Sequence, residues 1–117
     1  MTLTQLQEAS RKRQREWCPD PKEQPDLSFR GVELAGEVGE ACNIIKKLER
    51  ARHGWRGSKA DLKMLAEELA DAIIVVSLIA NDVGIDLNEA VPDKFNETSE
   101  KYGLHVFIEP DGTTSGL

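Results

Sequence analysis

Apolar positions in this chain recur at helical spacing over most of its length, and glycine or proline interrupts them at a few places. Leu3, Leu6 and Ala9 form a short apolar edge that predicts a first helix from about Thr2 to Glu16. Trp17-Cys18-Pro19-Asp20-Pro21 breaks it, since neither proline can continue a helix, and a loop runs on to Pro25. Leu34, Val38, Ala41, Ile45 and Leu48 follow an i, i+4, i+7 stripe, predicting a second helix from an Asp26 N-cap to about Arg52, with Gly54 as terminator. Ser58 followed by Asp61 resembles a capping box for a third helix. Its stripe is Leu62, Leu65, Leu69, Ala72, Val76, Ile79 and Val83, and Gly84 closes it. Asp86 and Glu89 open a last helical stretch, which Pro92 interrupts or restarts and which ends near Tyr102-Gly103. Leu104 to Ile108 suits a short strand, and the Gly- and Thr-rich tail from Pro110 to Leu117 is expected to be mobile. The pattern predicts one all-α domain over residues 1–117, a four- to five-helix bundle around a central antiparallel helical hairpin.

Two carboxylate pairs stand out against this pattern. Glu37-Val38-Gly39-Glu40 and Glu68-Leu69-Ala70-Asp71 each place acids at i and i+3, on one face of a helix. Glu37 and Asp71 are equidistant from Gly54 in sequence, and so are Glu40 and Glu68, so a hairpin turning there brings the pairs to the same height. Glu33, Glu37 and Glu40 run one residue ahead of the apolar stripe of the second helix, and Glu68 and Asp71 one residue ahead of that of the third. The two-fold relation of the hairpin puts both acidic rows in the shared seam or both outside it, and charge alone does not choose. The second row continues as Val75 and Leu78, which a uniformly solvated face would not. Four such carboxylates must take up protons or hold a cation. An all-oxygen set selects a hard ion, magnesium with manganese as the alternative, over zinc.

Charge and composition narrow the classes. A net charge of -6 argues against a general nucleic-acid binder. Only 5% of residues are aromatic, so the core has to be aliphatic. Cys18 and Cys42 lack metal or redox spacing, which together with no apparent signal peptide and no long apolar run predicts a reduced, cytoplasmic protein without a membrane span. Ile73, Ile74, Val75, Val76, Leu78 and Ile79 make the third helix apolar on nearly every side. So short a chain does not cover such a helix alone, which predicts a homodimer or homotetramer with Val75 on the interface.

The ordered pair Glu-x-x-Glu then Glu-x-x-Asp, in the setting Leu34-Ala35-Gly36-Glu37-Val38-Gly39-Glu40 and Ala66-Glu67-Glu68-Leu69-Ala70-Asp71, resembles the MazG-type all-α nucleoside triphosphate pyrophosphohydrolase family over roughly Leu27 to Tyr102. The resemblance implies hydrolysis of a nucleoside triphosphate between its α and β phosphates. It also implies Glu37, Glu40, Glu68 and Asp71 as metal ligands and catalytic acids, and Lys94 as a catalytic, phosphate-binding cation. Thr98 stands where the family often has asparagine, and Gly36 where many members carry a further glutamate; Glu33 is the candidate replacement, as base or as an acceptor behind the ligands.

Among the basic residues near the hairpin, Lys47 continues the Glu33, Glu37, Glu40, Ile44 row and is a second candidate for the phosphates. Trp17, Phe29 and Trp55 offer aromatic faces to a base, with packing as the ordinary role of each; Trp17 is retained as a substrate-binding candidate. The basic run Arg11-Lys12-Arg13-Gln14-Arg15 suits a helix C-terminus. Two other classes remain open on the residues alone: a non-catalytic helical oligomer that binds a metal or a partner, and a related all-α dUTPase or phosphoribosyl-ATP pyrophosphohydrolase.

Overall fold

Each helix begins where a short polar side chain meets the free amides of a first turn. In the computed structural model, which describes residues 1–116, Thr2 accepts from the Gln5 amide while the Gln5 side chain accepts from the Thr2 amide, opening α1 (Leu3–Trp17). Asp26 caps α2 (Leu27–Arg52), Asp61 caps α3 (Leu62–Val83) and Asp86 caps α4 (Leu87–Lys101). A two-stranded antiparallel ribbon follows, β1 (Phe107–Ile108) and β2 (Thr114–Ser115). The chain is therefore all-α, with the smaller number of helices expected.

Three boundaries differ from the sequence reading. Asp61, not Ser58, opens α3: the carbonyl and hydroxyl of Ser58 instead accept from Arg50 Nη2, at 3.1 and 3.4 Å. Gly57, at φ 143°, lies so close to that guanidinium that a Cβ there would run into it. Pro92 neither interrupts nor restarts a helix but sits inside α4, near the N-terminal end, where its missing amide removes a single bond. The tail from Pro110, expected to be mobile, folds back to pair with β1; Asn96 fixes that strand by accepting from the Ile108 amide and donating to its carbonyl. Leu117 lies outside the described residues.

The hairpin of α2 and α3 is the frame. Arg30 meets Asp82 at one end, and Glu37 and Glu40 approach Glu68 further along, so the helices run antiparallel in the expected register. Helix α1 covers only the C-terminal half of α3. Ser10 and Ser77 share a buried hydroxyl bond of 2.7 Å, and Gln7 exchanges hydrogen bonds with Asn81, which sets α1 antiparallel to α3. Trp17, the last residue of α1, thus reaches the level of Asp71, and beyond it no third helix among the described residues packs extensively on the hairpin. Helix α4 packs on α1 and β1.

Which rows face the seam is settled against the expected stripes. Ala41, Ile44, Val75 and Ala80 are buried, and Glu37 and Glu68 are half-buried beside them. Val38, Ile45, Leu62, Leu69, Val76 and Val83, expected in the core, are exposed. Glu37 and Glu68 therefore line the seam together with Ala41 of the first stripe, and Glu40 and Asp71 stand at its exposed margin. Each stripe is split, with Leu34, Leu48, Leu65, Ala72 and Ile79 half-buried and the remainder facing outward. Val75, expected on an outer interface, is only 5% exposed; the outward face of α3 is Leu62, Leu69, Ile73, Val76 and Val83.

The surface is large for the chain. It measures 8710 Å², against roughly 6,300 Å² for a folded monomer of this mass. The radius of gyration is 17.7 Å, where a compact domain of this length has about 13 Å. No helix among the described residues is long and apolar enough to cross a membrane.

Candidate metal centre

Two helices bring the acids together. Glu37, Glu40 and Glu68 each offer a carboxylate oxygen, and these atoms all lie within 4.8 Å of one another. Helical spacing puts Glu37 and Glu40 on one row of α2, and the antiparallel register sets Glu68 opposite. Asp71 is exposed and stands outside that cluster, but it lines the adjoining cavity with Glu37 and its charge acts on both Glu37 and Glu68.

The electrostatics are those of a site short of positive charge. Partial burial, then the charges of Glu40 and Asp71, push the Glu37 carboxyl above its ordinary range. Glu68 is raised by its hydrogen bond to Glu40, then by burial and by the charges of Glu40, Asp71 and Glu37. Oε2 of Glu37 and Oε2 of Glu68 are buried with no hydrogen-bond partner. Buried acceptors are ordinarily satisfied, so two orphan carboxylate oxygens facing a cluster of like charge fit a cation, and an oxygen-only donor set fits a hard one.

Beside the acids opens a cavity of about 570 Å³ bounded by the end of α1, the loop after it, the start of α2 and the middle of α3. Trp17 and Phe29 line it, both well exposed, which departs from the packing role expected of them; Trp55 instead stacks on His53 with ring centres 4.5 Å apart. Arg13, from the basic run of α1, reaches the same cavity.

The remaining candidates fall elsewhere. Glu33 lines the cavity, with one oxygen accepting from Arg30 Nη1 at 3.0 Å. Lys47 is half-buried on the inner row of α2, on the hairpin side of the acids and outside the lining of the cavity. Lys94 is not brought to the acids within the protomer: it lies exposed on α4, paired with Glu97 at 3.1 Å. The Thr98 hydroxyl is spent on the Lys94 carbonyl.

Sequence reasoning passed over Arg30. It is buried, bridging Asp82 on α3 and Glu33 on α2, and it too lines the cavity. The signal was present, because Arg30 begins the row that continues through Glu33, Glu37 and Glu40, and a lone cation at the head of an inward acidic row has a specific partner to find.

A long antiparallel helix pair with carboxylates of both helices meeting in its seam, flanked by an aromatic-lined cavity, defines an all-α acid-cluster protein. The model of the MazG-like family matches residues 37–108, which takes in both acidic pairs, and the chain belongs to that family. No curated protein and no solved structure matches the chain.

Proposed function

We propose that this protein is a magnesium-dependent nucleoside triphosphate pyrophosphohydrolase, cleaving an NTP or dNTP between the α and β phosphates to a monophosphate and pyrophosphate. The observation that carries this reading is the meeting of Glu37, Glu40 and Glu68 in a seam with two orphan carboxylate oxygens, in a chain of the MazG-like family. Asp71 completes the ligand set. A bound magnesium ion, or manganese in its place, supplies charge to the phosphate oxygens and acidifies a water.

The chain's own residues do the rest. Trp17 and Phe29 give the base a stacking surface in the cavity, while the acids occupy the phosphate end. Glu37 or Glu33 orients the attacking water and accepts its proton as the new phosphorus–oxygen bond forms and the bridging one breaks. Lys47 lies beyond the acids on the same row, in the direction the outer phosphates take. Lys94 enters only through an assembly, since α4 packs on α1 and β1 rather than on α2, and its phosphate contact is made in a neighbouring copy's site.

An assembly is itself part of the proposal. The surface excess over a compact monomer is roughly 2,400 Å², about three times what one partner contributes to a standard interface. The heptad-spaced outward row Leu62, Leu69, Val76 and Val83 runs along the half of the hairpin that α1 leaves bare and on past it, and a second copy of the same hairpin is the apolar surface that matches it, as a homodimer or as half of a homotetramer.

The test is a screen of ribo- and deoxynucleoside triphosphates, dUTP and phosphoribosyl-ATP included, for pyrophosphate release with magnesium. Release from at least one, abolished by chelation, is expected. Metal binding with no release from any would replace the enzyme by a cation-binding helical oligomer.

A further inference from the structure

Among the groups of the cavity that the hydrolytic chemistry does not use, one is a buried cation. Arg30 is 2% exposed, yet it lines that cavity. Its Nε donates to Asp82 at 2.9 Å and its Nη1 to Glu33 at 3.0 Å. Nη2 makes no hydrogen bond among the described residues. Carboxylates on two different helices thus hold the guanidinium still and leave one edge of it open. A fixed guanidinium is always charged and can only donate.

Its position says which part of a ligand it meets. Arg30 is two helical turns, roughly 10 Å, from Glu37 along α2. Phe29, next to Arg30 at the start of α2, lines the cavity at that end, two turns from Glu37, while Trp17 lines it at the level of Asp71. We propose that Arg30 reads the nucleobase, donating a charged hydrogen bond from Nη2 to an exocyclic carbonyl oxygen. The protein thereby selects nucleotides with an oxo base, meaning guanine, hypoxanthine, cytosine, uracil or thymine, over adenine. Adenine has no exocyclic oxygen, and its amino group would set a donor against a donor. This inference rests on the reading of the cavity as a nucleotide site.

The selection expected from one charged hydrogen bond in a desolvated pocket is roughly tenfold to a hundredfold in affinity. Calorimetry with magnesium and the α,β-methylene triphosphates of inosine, adenosine and purine riboside measures it on the unmodified protein. These bases carry oxygen, an amino group or hydrogen at C6, and hypoxanthine alone also carries a proton on N1. The comparison of adenosine with purine riboside therefore isolates the amino group, and the loss of preference in Arg30→Lys isolates the contact to the oxygen. Inosine should bind tighter than both others by that factor, and Arg30→Lys, which keeps the charge and both carboxylate partners, should bring the ratio close to one. Equal binding of the three analogues, or an unchanged ratio in a folded Arg30→Lys protein, would overturn the assignment even if pyrophosphate is released. Selective binding without pyrophosphate release would keep it and remove the hydrolase reading, and absence of all nucleotide binding would remove both.

Discussion

Val76→Glu places a carboxylate in the middle of the outward row of α3, where the protomer leaves the valine 37% exposed and the proposed assembly covers it. Val76 is not one of the buried residues of α3, which are Val75, Ser77 and Ala80, so the substitution leaves those side chains in place. An unpaired carboxylate in an apolar interface costs roughly 3 kcal/mol after relaxation. A two-fold interface carries the change twice, so the assembly loses roughly 6 kcal/mol, or about four orders of magnitude in dissociation constant. A dimer with a dissociation constant of about a nanomolar would then come apart at about ten micromolar. Light scattering coupled to gel filtration, with circular dichroism for helix content, reads the outcome at micromolar protein. The wild type should run as a dimer or tetramer, and the variant as a monomer with lower thermal stability, because the distal half of the hairpin then stands uncovered. A monomeric wild type, or a variant with unchanged size and melting, would refute the assignment of this face.

Three further outcomes follow from the site. Glu37 and Glu68 bind protons more tightly in the fold than in the unfolded chain, so their contribution to metal-free stability is full below the ordinary value of 4.5 and is lost as pH rises through their raised values. Calorimetric melting should show that downward slope without metal and lose it with magnesium; identical slopes would contradict the site. Glu40→Gln and Glu68→Gln should each weaken magnesium binding by roughly tenfold or more while raising the metal-free melting temperature, because each removes one like charge from the cluster. Unchanged affinity in both variants would remove these acids from the ligand set. Lys94→Ala should lower kcat/KM by roughly tenfold to a thousandfold with little change in melting, since its partner is the exposed Glu97. Normal kinetics would shift the phosphate contact to Lys47.

Capping chemistry and helical periodicity are local, and so they were legible. Asp26 and Gly54 bracketed α2, Gly84 at φ 73° ended α3, and the equal spacing of the acids about Gly54 anticipated the meeting of Glu37, Glu40 and Glu68. Ser58 misled because two cap-forming residues stood in competition, and a remote partner, Arg50, took one of them. Leu104 to Ile108 reads as a strand and contains β1, but β2 falls in the expected tail, because its pairing rests on a register that only the folded chain supplies.

What the chain by itself determined is therefore the helices, their antiparallel register and the acids that share a height, since each follows from spacing along one axis. Rotation about that axis was left to the tertiary structure. Periodicity fixes the angle between the apolar stripe and the acidic row, but not which of them turns inward. That choice came from partners far apart in sequence, Ser10 with Ser77, Gln7 with Asn81 and Arg30 with Asp82, which together turn Val75 inward and Val76 outward and set Glu37 and Glu68 in the seam. The same long-range contacts end the cover of α1 at Trp17, opposite Asp71, and so place the cavity beside the carboxylates.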